Sequence, residues 1–76
     1  MSSALYLVIQ SRGSWWVDLE GTASGPFATF EPALDEARHL ARNMARSGRR
    51  SEVLVPNEVG RYVVDWDSTK VRNAAA

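Results

Sequence analysis

The sequence predicts an α+β domain of order β-β-α-β-β, with one helix packed on a four-stranded, mainly antiparallel sheet. Three observations lead there. Short runs of aliphatic and aromatic residues recur at 5–10, 15–20, 52–55 and 61–67. A single stretch, 31–47, carries apolar residues at helical spacing. Clusters of Gly, Ser, Asn and Pro separate these runs, where a chain turns.

The first run, Leu5 to Gln10, reads as a strand that is apolar on both faces, with Leu5, Leu7 and Ile9 on one and Tyr6 and Val8 on the other. Ser11-Arg12-Gly13-Ser14 turns the chain. Trp15 to Glu20 then alternates, with Trp15, Val17 and Leu19 on one face and Trp16, Asp18 and Glu20 on the other. Gly21 to Pro26 reads as a loop. The helix follows from Glu31 to Ser47, entered through Thr29 as its cap or through Glu31 with Pro32 at the first helical position. Ala33, Leu34, Ala37, Leu40, Ala41, Met44 and Ala45 fall on one arc, and the alanines in it let the helix approach a sheet closely. Gly48 is the expected left-handed stop. Glu52 to Val55 and Arg61 to Asp67 form a second hairpin around Pro56 to Gly60, with Tyr62 and Trp66 inward and Val63 pointing with Arg61 and Asp65. An all-antiparallel sheet places 5–10 and 52–55 in the centre, with 15–20 and 61–67 at charged edges that discourage aggregation. Residues 1–67 make the single domain and 68–76 a flexible C-terminal tail.

Composition bounds the function. At 76 residues the chain is one domain, burying roughly 60% of the surface its unfolded form exposes. It has no cysteine, which removes disulfides and thiolate metal sites. The one apolar run near the start, Ala4 to Ile9, is short and has no basic lead, so neither a signal peptide nor a transmembrane helix is expected. The expectation is a cytoplasmic protein with no membrane partner.

The pattern resembles the small bacterial β-β-α-β-β family of unknown function. The residues that carry the likeness are Trp15 and Val17, Gly21, Pro26-Phe27-Ala28-Thr29, Ala33, Ala37-Arg38, Ala41, Val53, Val55 and Gly60-Arg61, within residues 5 to 66. That resemblance implies a fold and brings no catalytic residues.

The formal net charge of zero hides a dipolar chain. Residues 37–50 hold Arg38, Arg42, Arg46, Arg49 and Arg50 and no acid, whereas residues 1–36 carry one arginine against five acids. These arginines are the candidate nucleic-acid contacts, a ridge that could track phosphates. The blander account, which the sequence favours, is cations complementing the helix macrodipole, with Glu31, Asp35 and Glu36 at the other end. One helix cannot cover both faces of the sheet, so the open face is expected to hold an apolar patch with Trp16, Val63 and Leu7 as candidate interaction residues. The expected partner is a second copy of the chain, a homodimer, with another protein as the alternative. No catalytic, cofactor-binding or metal-ligating set emerges: His39 is the lone histidine, and no glycine-rich phosphate loop exists. The expected function is a non-enzymatic, self-associating interaction module.

Overall fold

The computed structural model describes residues 3–69. Five strands and one helix follow in the order β1 (Ala4–Ser11), β2 (Ser14–Leu19), β3 (Thr22–Phe27), α1 (Phe30–Arg46), β4 (Ser51–Pro56) and β5 (Tyr62–Asp67). The strands lie side by side as β3-β2-β1-β4-β5. The helix rests on one face of this sheet.

The four expected strands hold their expected spatial order, and a fifth joins them. The stretch expected to loop through Gly21 to Pro26 is instead β3, paired antiparallel with β2. Its turn consists of Glu20 and Gly21, with φ of 51° and 91°, the positive pair that a two-residue hairpin turn needs. Glutamate is an uncommon occupant of that left-handed region, which is why the turn is hard to see in the sequence. The strand itself is Gly, Pro and small polar residues, all exposed except Phe27. An edge strand tolerates such a composition, because Pro26 lacks only a hydrogen bond that no neighbour claims.

The extra strand also overturns the all-antiparallel expectation. Two strands before the helix would bring the chain back antiparallel to β1. Three strands reverse that parity, and β4 pairs parallel with β1, Tyr6 against Val53 and Leu7 against Leu54. The sheet is therefore mixed, with antiparallel hairpins on both sides of one parallel pair.

The helix starts at Phe30, two residues before the first helical position of the Glu31–Pro32 entry and where the Thr29 entry puts it. Thr29 stands in extended conformation at the N-cap position without a side-chain cap bond. Pro32 is the third helical residue, where the missing N–H would have no intrahelical partner anyway. At the other end the Gly48 N–H donates to the Ala45 carbonyl at 3.1 Å and the Arg49 N–H to the Met44 carbonyl at 3.3 Å. That pair of bonds is a Schellman motif, as the glycine predicts.

Alanines 33, 37 and 41 are fully buried against Ala4, Tyr6 and Val8 of β1, Val17 of β2, Val53 of β4 and Trp66 of β5. Trp15 and Phe30 close one end of this core, rings edge to face at 5.1 Å. Among the described residues Ser51 is the one buried polar residue, and its hydroxyl donates to the Ala41 carbonyl at 2.6 Å, tying helix to sheet. Of the residues assigned to a tail, Ser68 and Thr69 are partly buried. The Ser68 hydroxyl accepts from the Ser51 N–H, and the Thr69 N–H donates to Asp67. Residues 70–76 of that tail lie outside the described residues.

Two irregularities shape the sheet. Opposite Trp16, β3 carries both Gly25 and Pro26, a bulge between the Trp15–Phe27 and Val17–Ser24 pairs. Gly25 has φ of 138°, and a β-carbon there would lie 3.1 Å from the Trp15 carbonyl oxygen and 3.2 Å from the Trp16 ring. Gly25→Ala is therefore expected to cost about 1–3 kcal/mol and to displace the Trp16 indole. Urea unfolding and the Trp16 side-chain resonance check the two halves of that expectation. The second bulge is at Asp65, which has no opposite number between the Val53–Trp66 and Leu54–Val64 pairs.

Candidate interaction surface

In a strand, neighbours point to opposite faces, and directly opposed residues on adjacent strands share a face. Since Ala4, Tyr6 and Val8 face the helix, Leu5, Leu7 and Ile9 face away from it. Register extends this open face. Ile9 is opposite Trp16, Leu7 is between Asp18 and Leu54, and Leu54 is opposite Val64. Leu7, Ile9, Trp16, Leu54 and Val64 thus form one apolar field that no element of the described chain covers. Val64 is 49% exposed, and Tyr62, beside Pro56 at the start of β5, is 43% exposed.

Leu7 and Trp16 stand where the sequence reading puts them. Trp16 is held down by Gly25, and its indole N–H donates weakly to the Ser11 carbonyl at 3.3 Å. Val63 does not stand where it was expected. The bulge at Asp65 shifts the alternation of β5, so Val63 pairs with Val55 on the helix side and Val64 takes the open-face position. For the same reason Tyr62 is not a core residue. Ile9, Leu54 and Val64 are the members of the field not named as candidates from the sequence, although the sequence places Ile9 on the same face as Leu7. Leu54 was legible in principle, since it alternates with the inward-facing Val53 and Val55.

Charges sit at the two ends of the face. Glu52 and Asp67 oppose each other beside Leu5, and Asp18 opposes Leu7, all toward the beginning of β1. Arg12, in the β1–β2 turn, and Arg61, just before β5, lie at the other end, with Glu58 the one acid in the turn beside Arg61.

The five arginines of the helix end separate into different environments. The bulge brings Asp65 toward α1, where Arg38 grips it with two nitrogens, Nε to Oδ2 at 2.8 Å and Nη2 to Oδ1 at 2.9 Å. This hydrogen bonding pushes the Arg38 pKa up further, against the desolvation that opposes it. The pair ties the helix to the edge strand. Its coupling, measured by a double-mutant cycle of Arg38→Ala and Asp65→Ala, is expected to be about 1 kcal/mol, held down by the partial exposure of Arg38. Arg42, Arg46, Arg49 and Arg50 instead line a cleft of about 320 Å³ at the C-terminal end of α1. Arg49 also contacts Glu20 at 3.2 Å. The expected acidic strand edges are therefore partly neutralised, and β2, flanked by β1 and β3, is no longer an edge.

His39 is exposed on the helix and contacts Asn43 at 3.2 Å. Among the described residues no group of three or more His, Cys, Asp or Glu side chains is placed to hold a metal ion. Also among them, no helix is long and apolar enough to cross a membrane.

Compared with known protein families, curated proteins and solved structures, the chain matches none of them. No comparison supports the resemblance to a small bacterial family, and the chain has one strand more than the β-β-α-β-β pattern.

Proposed function

We propose that this chain is a non-enzymatic interaction module that works by self-association, two copies packing open face on open face. The observation that carries this reading is the uncovered apolar field of Leu7, Ile9, Trp16, Leu54 and Val64. A contiguous apolar patch on a small domain marks an interaction site more often than it marks nothing. A chain of this size, whose own core is limited, gains much from burying it. Stacked sheets pack about 10 Å apart with strand directions within about 30°, so the product is a helix-sheet-sheet-helix sandwich.

The charges at the ends of the face favour a second copy as the occupant and choose its orientation. A two-fold axis that runs the stacked strands in opposite directions lays Glu52 and Asp67 of one copy over the Arg12 and Arg61 end of the other. The same axis keeps the two acidic ends apart. The alternative, strands stacked in the same direction, brings like charges together at both ends.

The test is isotope-filtered NMR on a mixture of labelled and unlabelled chain. Contacts between copies from the Trp16 ring to Leu7 and Leu54 are expected. Contacts from Trp16 to residues 70–76 of its own chain, in place of those between copies, would overturn the reading.

A further inference from the structure

We infer that the cleft at the C-terminal end of α1 is a binding site for a phosphate group carried by a small molecule. Arg42 and Arg46 stand one helical turn apart on α1, and Arg49 and Arg50 come from the link to β4. Ser68, with Ala45 and Gly48, completes the walls around about 320 Å³, a volume at the scale of small-ligand sites.

The helix macrodipole does not account for so much positive charge. It amounts to about half a negative charge at the C-terminus, and the last-turn carbonyls of Asn43, Met44 and Ala45 already accept N–H groups of Ser47, Gly48 and Arg49. Four arginines line this one cleft. Arg49 faces Glu20, an exposed carboxylate 3.2 and 3.4 Å away, a pair that water and salt weaken, and Arg50 also lines a neighbouring cleft with Glu52 and Asp67. Arg46 donates to the neutral Asn43 side chain at 3.4 Å. Mutual repulsion among such groups is relieved by a dianion, and the planar guanidinium fork matches phosphate oxygens in pairs.

The placement favours a terminal phosphate over a nucleic-acid strand. Extending the arginine row toward the helix start would require Arg38, which Asp65 occupies with both oxygens. Beyond Arg38 the helix carries Asp35, Glu36 and Glu31, which repel a polyanion lying along it. The positive field therefore ends at one cleft. A phosphomonoester or diphosphate of a small molecule fits that shape, with Ala45 and the arginine stems as an apolar wall.

Titrating the full chain with inorganic pyrophosphate at low ionic strength, read by amide and arginine side-chain NMR shifts, tests the site without knowledge of the natural ligand. Saturable shifts are expected at Gly48, Arg49, Arg50 and Ser68. Arg46→Gln and Arg50→Gln, both at exposed positions, should each weaken binding by about tenfold, and Arg42→Gln by a similar factor. Pyrophosphate should also raise the unfolding temperature of the native chain and not of the Arg46→Gln/Arg50→Gln variant. No saturation up to about 10 mM, or the same shifts from sodium chloride at matched ionic strength, would overturn the proposal. So would a single-stranded oligonucleotide whose affinity grows with length while its shifts spread over Arg38 and the helix, since that result assigns the arginines to nucleic acid.

Discussion

Replacing Trp66 by alanine is expected to remove a large share of the free energy that keeps the chain folded. Trp66 is 8% exposed and is the side chain through which the edge strand β5 enters the core, opposite the fully buried Val53. Truncating a buried tryptophan costs about 3–5 kcal/mol. A chain of this length holds about 4–11 kcal/mol in total, taking 0.05–0.15 kcal/mol per residue. The loss is compounded by position, because Asp65 beside it anchors β5 to the helix through Arg38. Urea unfolding followed by circular dichroism measures it. A loss below about 1 kcal/mol would mean that β5 is not part of the cooperative core.

Trp16→Asp is the second large effect, and it falls on association instead of on folding. Trp16 sits toward one end of the open face beside Ile9, with its ring half-buried by Gly25 of the neighbouring strand. An aromatic anchor in a desolvated interface carries about 2–4 kcal/mol, which is roughly 30- to 1,000-fold in the dissociation constant. Aspartate also adds a second carboxylate on the same strand face as Asp18, so a stacked copy would have to desolvate both. The core stays as it was, because Trp15, Val17 and Leu19 face the other way. A companion variant, Val64→Lys, puts a charge on the same face from an exposed position in an edge strand, where lysine is well tolerated. It separates lost association from lost folding should Trp16→Asp prove unstable.

Much of this architecture was legible from periodicity. The alanine arc of α1, the Gly48 stop and the alternation of β2 each follow from local rules, and each is found. What failed to show was nonlocal or used an unusual residue. The Glu20–Gly21 turn places a glutamate in a left-handed conformation, and β3 has no apolar face to betray it. Missing that strand reversed the parity of the chain and so the direction of the β1–β4 pairing. The bulge at Asp65 likewise leaves no mark in the sequence, yet it moves Val63 to the helix side and brings Val64 to the open face. The same bulge turns Asp65 from a solvated edge acid into the partner of Arg38. For the arginines, spacing gave the Arg38–Arg42–Arg46 row but not its division. A salt bridge 27 residues apart in sequence and a cleft built with Ser68 are visible only once the sheet is assembled.

The measurement closest to the central claim is sedimentation of the native chain beside Trp16→Asp and Val64→Lys over a range of concentrations. The account predicts that the native chain rises with concentration toward twice the 8.4 kDa of one chain while both folded variants stay near the single-chain mass. A native chain that remains at the single-chain mass throughout, or folded variants that associate as strongly as it does, would contradict it.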